Sequence, residues 1–162
     1  MPSVVELKNL DLVYVTDREA VLALQGMNLA VEPGEFISLV GPSGCGKTTL
    51  LSVMAGLLAP SRGEVLLHGK PVTGPTPQVG YMLQQDYLFP WRTILSNTVL
   101  GLELTGRLTP EGVEHARALL AEMGLGDTAD LYPHQLSGGM RQRVALVRTL
   151  ATDPELLLLD EP

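Results

Sequence analysis

Apolar residues change rhythm along this chain, and each change predicts a new kind of element. At the start they alternate with polar residues or gather in β-rich runs, so Val4–Leu7, Leu10–Val15 and Met27–Val31 are predicted strands. Glu32-Pro33-Gly34-Glu35 predicts a turn, and the run after it, Phe36–Val40, has the composition of a strand covered on both faces. Gly41 ends that run. From Lys47 to Leu58 the apolar positions Leu50, Leu51, Met54 and Leu57 recur at helical spacing, and Ala59-Pro60-Ser61-Arg62-Gly63 closes the helix. Strand patterning returns at Glu64–His68 and Gln78–Leu83, around a Pro- and Gly-rich connection at Gly69–Pro77.

Beyond Gln84 the period becomes helical. Helices are predicted over Thr93–Leu104, over Pro110–Met123 with Pro110 in its first turn and Gly124 past its end, and from Ser137 to about Ala151. Asp153-Pro154 stops the last of these, and Leu156–Leu159 reads as a strand buried on both faces. Strands lead and then alternate with helices, so the class is α/β with an N-terminal antiparallel region. Neither an internal repeat nor a low-complexity segment is visible.

Composition narrows the function. With 162 residues and 45% hydrophobic content the chain can bury one real core, built from aliphatic side chains because only 4% is aromatic. The formal net charge of −7 argues against nonspecific nucleic-acid binding, and a local basic spot at Arg141, Arg143 and Arg148 does not reverse that. The single Cys45 excludes an internal disulfide and fits a reducing compartment. No secretory leader is apparent, and no apolar run approaches the roughly 18–20 residues that span a bilayer. His68, His115 and His134 lack metal-ligand spacing and read as surface or loop histidines.

Gly41-Pro42-Ser43-Gly44-Cys45-Gly46-Lys47-Thr48 fits G-x-x-x-x-G-K-[ST] between a predicted strand and a predicted helix, the context that makes the pattern a phosphate loop. Glycines let the backbone close round an anion, with free N–H groups and the helix dipole facing it. Lys47 is expected to reach the β- and γ-phosphates and Thr48 to offer its hydroxyl to Mg²⁺, with Thr49 completing the loop's contacts. Cys45 has no His nearby in sequence to act as its base and reads as an inert loop residue. Asp160 and Glu161 follow a predicted strand, at the end where ligands of open α/β sheets gather. Asp160 is expected to hold Mg²⁺ through its water shell and Glu161 to orient and deprotonate an attacking water. Ser137 is a good N-cap, and Gly138 and Gly139 bare the first N–H groups of a helix, which makes a second anion site in one chain.

In this order the motifs resemble the ATP-binding-cassette (ABC) family, whose LSGGQ-type signature matches Leu136–Met140 with Met in the last place, followed by Arg141-Gln142-Arg143. The resemblance covers the whole chain. It implies a P-loop NTPase core with an N-terminal antiparallel β region and a helical signature subdomain, divided as residues 1–83 (β region and phosphate-loop core), 84–136 (Q-loop and helical subdomain) and 137–162 (signature helix and Walker B strand). It implies ATP and Mg²⁺ as cofactors, bound by Gly41 to Thr49. Gln84 matches the Q-loop glutamine, a ligand of Mg²⁺ and water that senses the transmembrane partner. Tyr14 matches the aromatic that stacks on adenine; a plain strand-face aromatic is the alternative.

The resemblance further implies a head-to-tail dimer, in which Ser137, Gly138 and Gly139 of one subunit close over the γ-phosphate held by Lys47 of the other. The partners it implies are a transmembrane permease, the second ATPase subunit and, indirectly, a periplasmic or surface solute-binding protein. The place implied is the cytoplasmic face of the membrane, peripherally. Tyr87-Leu88-Phe89-Pro90-Trp91 gathers much of the aromatic content beside Gln84, either as a docking patch for a partner helix or as part of the chain's own helical core. The stretch Tyr87–Leu104 looks like the nitrate, sulfonate and taurine importer group. Family members continue past the Walker B acids with a D-loop, a helix and a strand ending in a switch histidine. With that strand absent a gap is expected beside Phe36–Val40, and the chain as written is expected to be a poor ATPase. The rival readings are a soluble ABC ATPase outside transport, whose coiled-coil inserts or zinc-site Cys pairs are not seen, and a nucleotide-binding fragment without turnover. Small kinases and GTPases lack the Ser-Gly-Gly helix start.

Overall fold

A computed structural model describes residues 3–17 and 19–161, and the chain divides into two compact units, Met1–Val79 and Gly80–Pro162. In the first unit the strands are β1 (Val5–Val15), β2 (Ala20–Val31), β3 (Arg62–Leu67) and β4 (Lys70–Pro71), with one helix, α1 (Lys47–Met54). They form an antiparallel sheet in the order β2-β1-β3-β4. β1 is central, its Val5 paired with Val31 on one side and Leu67 on the other. The two short runs predicted at Val4–Leu7 and Leu10–Val15 are therefore one strand, interrupted by register shifts between Leu7 and Leu10 where Asn9 takes a φ of +45°. Val5, Leu7, Leu10 and Leu12 are buried with Val65 and Leu67 of β3, and α1 contributes Leu50, Leu51, Val53 and Met54.

Helix α1 is four residues shorter than its apolar pattern suggests. Gly56 adopts a left-handed φ of +74°, Gly56 N–H donates to Val53 O, and Leu57 N–H donates to Ser52 O. This paired closure ends the helix, and Leu57, which fits the helical period, lies outside it and is half exposed.

Phe36–Val40 departs further from expectation. It is not a strand; Phe36 and Val40 are 90% and 93% exposed. Apolar composition supplies only the wish to be covered, whereas a strand exists through its neighbours' hydrogen bonds, and no described strand pairs with this run.

The second unit holds α2 (Ile94–Thr98), α3 (Leu100–Leu104), α4 (Pro110–Glu122) and α5 (Gly138–Leu150), with β6 (Leu156–Leu159) paired to β5 (Val79–Met82). Thr93 caps α2 by accepting from Ser96 N–H, and Thr109 caps α4 by accepting from Gly112 N–H ahead of Pro110. The single helix predicted over Thr93–Leu104 breaks at Val99, next to Thr98, whose hydroxyl bonds back to Ile94 O at 2.9 Å and bends the turn. Leu88, Ile94, Leu120, Leu125, Leu136, Val144 and Val147 form the core. β6 is buried on one face rather than both: Leu156 and Leu158 are inside, while Leu157 is 36% exposed because a two-stranded sheet is covered on one side. Among the described residues no helix is long and apolar enough to cross a membrane.

Candidate functional site

The first unit carries the phosphate-loop residues on an exposed turn that leads into α1. Gly44 and Gly46 take φ values of +79° and +97°, a region that residues with a Cβ enter at a cost. Gly46 is also the N-cap of α1, and a Cβ there would sit 2.8 Å from Ala23 O. The loop thus needs glycine at Gly46 for two reasons, conformation and close approach. Lys47 Nζ donates to its own loop, to Gly41 O at 2.8 Å and Pro42 O at 2.9 Å, and lies 3.7 Å from Cys45 Sγ. An ammonium held by neutral carbonyls in solvent can exchange them for an anion, because charge-assisted bonds to an oxyanion are the stronger ones. Tyr14 and Thr49 bring their hydroxyl oxygens to 3.3 Å, so the candidate adenine-stacking ring lies beside the first turns of α1, with 42% of Tyr14 exposed.

The second unit gathers Gln84, Asp160 and Glu161. Asp160 N–H donates to Met82 O at 3.0 Å, which pins the end of β6 to the end of β5, and Gln84 lies two residues beyond Met82. Gln84 Nε2 accordingly donates to Glu161 Oε2 at 2.7 Å. Asp160 is 4% exposed, and Glu161 holds a left-handed φ of +50°, a local strain of about 1–2 kcal/mol of the kind that accumulates at functional sites. The amide that gives its nitrogen to Glu161 keeps its oxygen for something else.

Thr48 hydroxyl, Gln84 amide oxygen and Asp160 carboxylate are all hard oxygen donors, the chemistry that suits Mg²⁺. Among the described residues no group of three or more His, Cys, Asp or Glu side chains is placed to hold a metal unaided. Mg²⁺ beside a nucleotide needs only one or two protein donors together with phosphate and water, and each of these groups is of a kind that suits it.

On α5, Ser137 caps the helix by accepting from Met140 N–H at 3.3 Å, and Ser137, Gly138 and Gly139 are all exposed. A shallow depression of about 430 Å³ opens beside them, lined by Gln84, Asp86, Tyr87, Gly138, Arg141 and Gln142 among others. The arginines read as a basic spot are largely tied down. Arg141 Nε donates to Asp86 Oδ2 at 3.0 Å, Arg143 Nη1 to Met123 O at 2.8 Å, and Arg148 to Asp86 O at 2.7 Å and Tyr87 O at 2.9 Å. Burial pushes the Arg148 guanidinium below its ordinary pKa, opposed by the charge of Asp86. Gln142 Nε2 donates to Gln84 O at 2.8 Å. Sequence reasoning placed these residues after a signature and found no role for Gln142 or Asp86, since no periodicity reports which backbone carbonyl a side chain will reach.

Of the aromatic loop, Leu88 is buried in the core, whereas Tyr87 and Trp91 are 58% and 70% exposed, and Phe89 packs on Trp91 with ring centroids 5.1 Å apart. Leu88 thus belongs to the chain's own helical core, and the aromatics lie on the outside.

Comparison with known proteins decides the family. The model of the family described as ABC transporter matches residues 24–162. The chain belongs to the ABC transporter family. An uncharacterized ABC transporter ATP-binding protein of Bacillus subtilis, YtlC, is 54% identical over 149 residues, covering 92% of this chain and 57% of that protein. The nitrate import ATP-binding protein NrtD of a Synechocystis species is 44% identical over 97% of this chain and 59% of its own length, and the taurine import ATP-binding protein TauB of Ruegeria pomeroyi is 45% identical over 88% and 53%. The chain thus spans somewhat over half the length of these relatives. Among solved structures, the ATP-binding cassette MJ0796, in a dimeric post-hydrolysis state bound to ADP and Pi, matches with a TM-score of 0.83 at 33% identity, over 96% of this chain and 73% of that one. The fold is that of an ABC ATPase cassette, mixed α/β with an antiparallel sheet.

Proposed function

We propose that this chain belongs to the ATP-hydrolysing subunit of an importer that moves a small oxyanion-bearing solute of the nitrate, sulfonate or taurine kind through a separate permease. The observation that carries the reading is the pairing of Gln84 with Glu161 at the strand ends of a chain that also holds a glycine-built phosphate loop. Lys47 exchanges the carbonyls of Gly41 and Pro42 for the β- and γ-phosphates. The backbone from Gly41 to Gly46 wraps the phosphates, Thr49 closes the loop's contacts, and Tyr14 stacks on adenine. Glu161 accepts the proton of the attacking water, and Gln84 holds that water in line.

Thr48, Gln84 and Asp160 would hold Mg²⁺, which when bound neutralises charge on the phosphoryl oxygens. Ser137, Gly138 and Gly139 meet the γ-phosphate bound by a second copy, so the working unit is a head-to-tail dimer. The exposed ring edges of Tyr87, Phe89 and Trp91 dock the permease, which places the subunit peripherally on the cytoplasmic face. A solute-binding protein would deliver the cargo to the permease without touching this chain. The solute class rests on the likeness to NrtD and TauB together with the stretch Tyr87–Leu104.

The test is nucleotide binding and turnover in the protein that contains this chain, with Lys47→Ala and Glu161→Gln. Lys47→Ala is expected to weaken ATP binding about tenfold or more, the worth of a lost charge-assisted bond. Glu161→Gln is expected to leave binding intact and lower turnover by about 10²–10⁴. Wild-type protein that binds ATP and does not hydrolyse it would favour the fragment reading, and turnover indifferent to Glu161 would sink the assignment of the base.

A further inference from the structure

We infer that Gln142 is a positioning residue for Gln84, the inner member of a clamp by which α5 holds the segment 84–88. The inference rests on the reading of Gln84 and Glu161 as the hydrolytic pair and concerns how that pair is kept in place. Gln84 itself is exposed, and its side chain has a long reach to Glu161, so its position depends on its backbone. That backbone is bound from one helix. Gln142 takes the carbonyl of Gln84, Arg148 takes those of Asp86 and Tyr87, and Arg141 takes the Asp86 carboxylate. Asp86 turns its other carboxylate oxygen to Leu88 N–H at 3.1 Å, and Tyr87 sits at a φ of +42°, so the segment is held in a conformation it would not keep unaided.

The orientation of the Gln142 amide is fixed by chemistry. Flipped, it would set its oxygen against the Gln84 carbonyl, two acceptors face to face. As placed, its Oε1 is buried with no hydrogen-bond partner among the described residues. An apolar isostere would fill the same space, so packing alone does not call for an amide here. What the amide supplies that an isostere cannot is the one bond to Gln84. Because α5 begins at Ser137-Gly138-Gly139, the clamp also joins the helix that meets the second nucleotide to the residue that faces Glu161.

Gln142→Met separates the two roles, because it keeps the volume, removes the orphaned oxygen and deletes the bond. In the full-length protein its melting temperature is expected within a few degrees of wild type, with faster amide hydrogen exchange over residues 86–88. The kcat for ATP is expected to fall about tenfold or more, as a small misplacement of a reacting group allows, with KM for ATP within about twofold. In a Gln84→Ala background Gln142→Met should add no further loss. Arg143→Ala, on the same helix as Gln142, frees the Met123 carbonyl at the end of α4 and should cost stability and leave kcat unchanged. Wild-type exchange and kcat in Gln142→Met, or losses that multiply with Gln84→Ala, would overturn the role. If the wild-type protein binds ATP without turnover, the hydrolytic reading fails alone. Exchange at 86–88 then decides the clamp, faster exchange supporting it and unchanged exchange rejecting it.

Discussion

Two single residues show how differently sequence and structure reveal a site. Gly46 is legible from spacing, and the structure adds why no other residue serves: a φ of +97° and an Ala23 carbonyl 2.8 Å from any Cβ. Gly46→Ala is expected to cost about 1–2 kcal/mol of stability from the left-handed backbone alone and to weaken nucleotide binding more than tenfold, read by chemical unfolding and by titration with a fluorescent ATP analogue. Asn97 is the opposite case, a fully buried amide in a pattern that reads as helix face. Its Nδ2 donates to Phe89 O, Arg92 O and Thr93 O, and its Oδ1 accepts from Phe89 N–H at 2.8 Å. Asn97→Ala removes the side-chain partner of Phe89 N–H and of Arg92 O, while Phe89 O and Thr93 O keep the backbone N–H groups of Arg92 and Asn97, and it is expected to cost about 1–3 kcal/mol, measured as a shift in the urea midpoint. The polar residue was visible in the sequence; the loop it holds, eight residues upstream, was not.

At the scale of elements, helix starts were read well because a cap is a local device. Ser137 and Thr109 each stand where spacing placed a helix start, and each accepts from the N–H three residues on. Strands were read less well, because Phe36–Val40 carries the right residues and lacks the neighbours that would make it a strand. Substitution separates capping from catalysis: Ser137→Ala and Thr109→Ala should each cost about 1 kcal/mol in thermal unfolding. Only Ser137→Ala should also lower ATP turnover, and equal turnover in both would remove Ser137 from the proposed site. Another element-level device lies at the junction of the short helices. Arg92 faces Glu103 through two bonds, at 2.6 Å and 3.1 Å, and this hydrogen bonding holds the Glu103 carboxyl below its ordinary pKa. A carboxylate with a depressed folded value adds stability above its unfolded value of about 4.3 and loses it as pH falls through the folded one. The difference in melting temperature between wild type and Glu103→Gln should therefore be small but present at pH 7 and vanish in acid, and a difference that persists in acid would mean that the side chain acts by packing.

For the molecule as a whole, the proposed function draws on two helix starts in one chain, those of α1 and α5, each of which would take an anion. The N-termini of α1 and α5 belong to different units; α1 follows a loop rich in glycine, and α5 begins with Gly138 and Gly139. In the proposed function copies pair, each lending α5 to the nucleotide on the other's phosphate loop. The net charge of −7 on these 162 residues opposes such pairing, which the bound nucleotide and the direct contacts to its γ-phosphate would offset. The protein containing this chain is therefore expected to be monomeric without nucleotide and dimeric with ATP when Glu161→Gln prevents hydrolysis. ADP should not support the dimer, because it lacks the phosphate that Ser137 and Gly139 would meet. Adding Lys47→Ala or Ser137→Ala to Glu161→Gln should return the protein to monomer, and raising salt should strengthen the dimer by screening its self-repulsion. Sedimentation velocity across these variants reads each step, and a dimer that forms equally with ADP would place the second anion site outside the nucleotide's reach.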